Sequence, residues 1–152
     1  MDRNCTGRGV SVGHFPVAPF NRAAHSDDVH PVPLVVVIDD EAPVGEVAGY
    51  VLSMHGFEVK VATSGAAGLQ LVRETMPDAV VCDVRMPDFT GEQVVLALRA
   101  DDRTSRIPVI FISGQCDPHI LELGDAFHEK PFNCKELVAT VARLIEERRP
   151  LP

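Results

Sequence analysis

Five polar residues stand directly after apolar runs in this 152-residue chain. Asp39 and Asp40 follow residues 34–38, Asp83 follows 79–82, Ser113 follows 109–112 and Lys130 follows 126–129. Carboxylates gathered in one place repel each other and are stabilised by a hard cation. Mg2+ suits them, with six oxygen ligands at about 2.0–2.1 Å, waters among them. A lysine beside such a cluster offsets the remaining charge and can hold an anionic oxygen, and a serine hydroxyl can donate to one. Three carboxylates, an ammonium and a hydroxyl therefore suit a phosphoryl group held beside a metal ion. Taken singly, each has a plainer role as a cap, a solvated turn or a surface charge. Their shared place at the ends of apolar runs favours the joint reading.

The elements that must position these residues alternate. The β-branched run 34–38 suits a strand buried on both faces. Val44, Val47, Val51 and Met54 recur at helical spacing up to Gly56, and residues 57–62 read as a second strand. Ser64 can cap a helix bearing Leu69, Val72 and Met76, which Pro77 ends. A third strand over 79–82 precedes a helix over 91–100 with Val94, Val95 and Leu98 on one face. A fourth strand over 109–112 follows Pro108, and 126–129 is a short fifth. Asn133 and Glu136 approach a capping box before a helix with Leu137, Val138, Val141, Leu144 and Ile145 as its stripe. Strand and helix alternating through five units imply a three-layer α/β/α sandwich around a doubly wound, five-stranded parallel sheet. In such a sheet, ligands bind at the carboxyl ends of the strands, where the five polar residues converge.

Apolar residues make up 45% of the chain and charged residues 24%, a balance that suits one packed domain. Fourteen Lys and Arg against 22 Asp and Glu leave a net charge of −8, which disfavours direct binding to nucleic acid or an anionic membrane. Residues 1–33, rich in Gly and Pro, read as a flexible N-terminal extension, with 34–148 as the folded domain and 149–152 as a short tail. The extension carries three Arg and three Asp, so the acid excess belongs to the folded part. Cys5, His14, His25 and His30 match no metal-ligand spacing. The four cysteines form no Cys-x-x-Cys pair, and Cys82 reads as a small buried side chain. No run approaches the ~18 apolar residues of a membrane span, and no signal peptide is evident. These features point to the cytoplasm.

The motifs Val-Ile-Asp39-Asp40-Glu41, Cys82-Asp83-Val84-Arg85-Met86-Pro87 with Gly91, Phe111-Ile112-Ser113-Gly114 and Lys130-Pro131-Phe132 together resemble the receiver domain of two-component response regulators. The likeness spans about residues 34–148 and implies a flavodoxin-like fold of the kind found in the chemotaxis regulator. It implies Asp83 as phospho-acceptor from a sensor histidine kinase or histidine phosphotransfer protein. Asp39, Asp40, Asp83 and the backbone carbonyl of Arg85 would hold Mg2+, and Lys130 would neutralise a phosphoryl oxygen. Ser113 and Phe127 match the switch pair, and Pro131 matches the family's cis-proline.

Lys130 follows Ser113 by 17 residues. Receivers of the usual type resemble one another in having about five more, over one helical turn. The fourth helix is therefore expected to be short and the face it helps form altered. Only five residues follow 147, so the chain is expected to act as a stand-alone response regulator on a partner protein, without enzymatic activity beyond its own phosphotransfer and slow dephosphorylation. A pseudo-receiver that docks a partner without phosphate is the alternative. An Mg2+-dependent phosphatase is disfavoured, because Arg85 stands where an Asp-x-Asp motif needs its second acid.

Overall fold

A computed structural model of the chain describes residues 10–13, 32–115 and 117–149. In chain order the elements are β1 (Val10–Gly13), β2 (Leu34–Ile38), α1 (Ala42–Met54), β3 (Glu58–Ala62), α2 (Gly65–Thr75) and β4 (Ala79–Asp83). Then come α3 (Gly91–Arg99), β5 (Val109–Ser113), α4 (Pro118–Leu123), β6 (Ala126–Glu129) and α5 (Cys134–Arg148). The sheet order is β1-β3-β2-β4-β5-β6, and β2 to β6 run parallel as the alternation of elements requires. Period-two alternation sorts the buried strand residues. Val35 and Val37 join the core under α1 and α5, while Val36 and Ile38 join the core under α2, α3 and α4.

Part of the expected flexible extension is structured. Val10–Gly13 pairs antiparallel with β3 and adds a sixth strand at the sheet edge. Four residues are too few for a period to register. They form a strand because the outer edge of β3 offers unpaired backbone groups, and only the tertiary fold supplies those. Residues 1–9 and 14–31 of that extension, with Cys5, His14, His25 and His30, lie outside the described residues, as do 116 and 150–152.

Helix α1 buries a different face from the one its apolar spacing suggests. Gly45, Ala48, Gly49 and Leu52 pack inward, whereas Val47, Tyr50 and Met54 stay about half exposed. The sheet comes too close for larger side chains: a Cβ on Gly45 would lie 3.0 Å from Val61 Cγ1, and one on Gly49 3.3 Å from Val59 Cγ1. Helix α2 ends one residue before Met76, which adopts a left-handed conformation with φ 50° and is partly exposed rather than part of the stripe. The caps follow local chemistry. Ser64 Oγ accepts from the Ala67 N–H, Thr90 forms a capping box with Gln93, and Asn133 Oδ1 accepts from the Glu136 N–H.

At the end of the sheet opposite the strand carboxyl ends, Asp125 joins three segments. It accepts from Arg99 at 2.9 Å, Arg148 at 2.6 Å and the Val109 N–H at 2.9 Å. This fixes the start of β6 to α3, β5 and α5, immediately after the short α4. Among the described residues, no helix is long and apolar enough to cross a membrane.

Candidate functional site

The chain leaves β2 to form β3 on one side and returns to place β4 on the other, so a crevice opens where β2 and β4 lie side by side. Ile38 pairs with Cys82, which sets Asp39 beside Asp83 at the mouth of that crevice. Carboxylate oxygens of Asp39, Asp40 and Asp83 lie within 4.8 Å of one another, with Asp39 and Asp83 buried and Asp40 exposed. Lys130, carried just past β6, sends its Nζ to 3.0 Å from Asp39 Oδ2 and 3.5 Å from Asp83 Oδ1.

Glu41 was not singled out by chemistry in the sequence, yet its Oε1 lies 3.2 Å from the same Nζ. Its backbone N–H also donates to Asp39 Oδ1 at 2.8 Å, closing the turn that leads into α1. Its place directly after the acid pair was the available signal. Three carboxylates, those of Asp39, Asp83 and Glu41, thus share one ammonium, with Asp40 beside them. A donor set of clustered carboxylate oxygens suits a hard divalent cation, which would relieve the surplus negative charge.

The titration of these groups reflects that imbalance. Burial, and then the charge of Asp39, push the Asp83 carboxyl up to about 7 against the pull of Lys130. Burial likewise raises Asp39, opposed by the Glu41 N–H and by Lys130. Burial works against the charge on Lys130, but its bond to Asp39 and the charges of Asp39 and Asp83 outweigh it and hold the ammonium above its usual value.

Ser113 ends β5 and is buried. Its Oγ accepts from the Gln115 N–H at 3.2 Å, and its carbonyl accepts from the Lys130 N–H at 2.8 Å. The Lys130–Pro131 peptide bond is cis. Arg85 lies in the loop after β4, exposed, and its guanidinium donates to Gln115 Oε1, a partner the sequence did not indicate. Phe127 is half-buried on β6, paired in register with Phe111 and packed against the core under α3. The structure therefore gathers Asp39, Asp40, Asp83 and Lys130 into one cluster. Ser113 stands on the neighbouring strand, and Phe127 on β6 beyond it. Cys82 is fully buried beside Asp83, and burial pushes its thiol far up, consistent with a packing role.

Residues 35–142 match the response regulator receiver domain family. The chain belongs to that family. Among curated relatives of this receiver domain, the transcriptional regulatory protein PrrA of Mycobacterium tuberculosis is 40% identical over 119 residues, covering 76% of this chain and 51% of PrrA. The DNA-binding response regulator MtrA of Mycobacterium leprae is 38% identical over 116 residues, covering 72% and 50%. The chain thus spans about half the length of these relatives. Among solved structures, the signal receiver domain of a signal transduction histidine kinase from Syntrophus aciditrophicus superposes with a TM-score of 0.72 at 25% identity, covering 79% of this chain and 95% of that one. The receiver domain of Francisella response regulator 1452 superposes with a TM-score of 0.70 at 25% identity, covering 77% and 99%. This is a receiver domain of the two-component response regulators, with an acidic cluster that could hold a metal ion.

Proposed function

We propose that this receiver accepts a phosphoryl group on Asp83 from a phosphohistidine of a kinase or phosphotransfer partner and passes the signal on by changing shape. The observation that carries this reading is the convergence of Asp83, Asp39, Asp40 and Lys130 at the switch point of the sheet. A carboxylate oxygen of Asp83 attacks phosphorus, the phosphorus–nitrogen bond breaks, and the departing imidazole nitrogen keeps the electron pair and later takes a proton from water. Lys130 stands where it can shift from Asp39 and Asp83 onto a phosphoryl oxygen. Asp39, Asp40, Asp83 and the backbone carbonyl of Arg85 would hold Mg2+. Such a cation shields negative charge as the two anions meet and orients the transfer.

Ser113 then exchanges its bond with the Gln115 N–H for a phosphoryl oxygen, and Phe127, half-buried already, turns into the space released. The kinase-side partner docks beside the site on α1, whose exposed Val47, Tyr50 and Met54 offer an apolar stripe immediately after the acid pair. The domain's acid excess makes its own output contact a protein surface rather than nucleic acid.

Mg2+-dependent incorporation from acetyl phosphate, read by intact mass on wild type and Asp83→Asn, tests this. A phosphoryl mass on the wild type alone is expected. No incorporation, under conditions that label another receiver, would leave a phosphate-independent docking module.

A further inference from the structure

A cleft of about 620 Å3 opens beside Ser113, with Arg85, Met86 and Pro87 on the side of the β4–α3 loop and Gln115, Pro118 and Ile120 on the side of α4. Among the described residues, two side-chain contacts join its sides. One is the Arg85–Gln115 bond. The other lies between the helices, where His119 Nε2 on α4 is 3.0 Å from Glu92 Oε2 in the first turn of α3. The rest of the hold on α4 is slight: of its six residues Ile120 is buried and Leu123 partly buried against the core, while Leu121 stands exposed.

We propose that the His119–Glu92 pair is a proton-operated tie: with the imidazole protonated it holds α4 against α3, and with the imidazole neutral it lets α4 move. On the reading of Ser113 as the switch residue, the medium's pH then sets how readily the segment between β5 and α4 rearranges. The charged groups around His119 favour the protonated ring. Glu92 faces it from α3, Asp117 acts from the N-cap of α4 and Glu122 from α4 itself, and Arg85, the cation on the cleft wall, is held by Gln115. The bond to Glu92, and then its charge, place the imidazole above its usual value, against a smaller opposing pull from burial. The ion pair is therefore present on the acidic side of neutrality and lost as pH rises. An exposed pair contributes little to a well-packed helix. It matters here because α4 has a single buried side chain.

The test is made on unphosphorylated protein. NMR follows the His119 ring in wild type and Glu92→Gln, and hydrogen exchange, corrected for intrinsic rates, follows the Leu121 and Gly124 amides, which are hydrogen-bonded to the Asp117 and Ile120 carbonyls. In the wild type, protection of these amides is expected to fall by up to about fivefold as pH rises through the ring's titration, the factor set by an exposed ion pair. In Glu92→Gln and in His119→Gln it stays level, and the ring of Glu92→Gln titrates lower than that of the wild type. Coincident ring titrations, or amide protection that follows one pH course in all three proteins, would overturn the tie. If Asp83 takes up no phosphate while these differences appear, the reading of the site fails and the tie stands. If uptake is normal and α4 is indifferent to pH, the tie alone fails.

Discussion

At the scale of the residue, Asp83 is held in a state that the unfolded chain would not hold. Its carboxyl is pushed up to about 7 in the folded protein, by burial first and by Asp39 second. The unfolded chain releases that proton near pH 4, at about the value of a free aspartate. Between the two, the folded state binds the proton and the unfolded state does not, so stability falls as pH rises across the interval. Asp83→Asn removes this dependence. Without metal at about pH 8, the variant should gain at least about 1 kcal/mol, a rise in Tm of roughly 2–4 °C for a domain of this size. At about pH 4 it should gain almost nothing. Thermal melts at the two pH values decide it, and equal Tm values at the higher pH would show that the acid cluster carries no strain. A divalent cation acts in the same direction. Mg2+ should raise the wild-type Tm more at high pH than at low pH, because it competes with the proton for the same carboxylates.

At the scale of the element, the loop from β4 into α3 leaves no room for a side chain at Gly91. A Cβ on Gly91 would lie 2.4 Å from the Asp83 carbonyl oxygen and 2.9 Å from Val84 Cα, both backbone atoms that cannot step aside cheaply. Gly91→Ala should therefore cost about 1–3 kcal/mol and, by shifting the loop that carries Arg85, slow phosphate uptake. Gly114→Ala is the matched control, since a Cβ there meets nothing within 4 Å. Urea unfolding and uptake from acetyl phosphate on both variants test the pair, and a Gly91→Ala protein as stable as the control would refute the close approach. The same scale shows why spacing alone does not identify the buried face of α1. Valine and methionine at helical intervals look like a buried stripe, but proximity to β3 reserves the inner face for Gly45, Ala48 and Gly49. The larger Val47, Tyr50 and Met54 are thereby left about half exposed.

At the scale of the molecule, β1 closes one edge of the sheet. β3 would otherwise expose a row of unpaired backbone groups, a ready template for association. Deleting residues 1–13 should leave the parallel sheet folded and Asp83 able to take up phosphate, while adding concentration-dependent self-association. Light scattering after size exclusion measures this, and a deletion variant that stays monomeric at every concentration would count against a capping role. The opposite side of the domain is tied down differently. Asp125 bonds two arginines and a backbone N–H at one end of the sheet, which leaves the short α4 as the loosely held segment beside the site.

The succession of elements was legible in the chain alone, because runs such as 34–38 and 109–112 bury every side chain and sit between segments of helical period. The residues at the strand ends were legible as well, since acids and a lysine that follow several such runs together have few structural reasons to share that place. Three things depended on distance between segments remote in sequence. The pairing of Ile38 with Cys82 brings Asp39 to Asp83, the reach of Lys130 joins Glu41 to the cluster, and the free edge of β3 turns Val10–Gly13 into a strand. Local periodicity reports which face of an element is apolar. It carries no information on how near the next element lies, and that nearness decided the protonation of Asp83, the small face of α1 and the contact between His119 and Glu92.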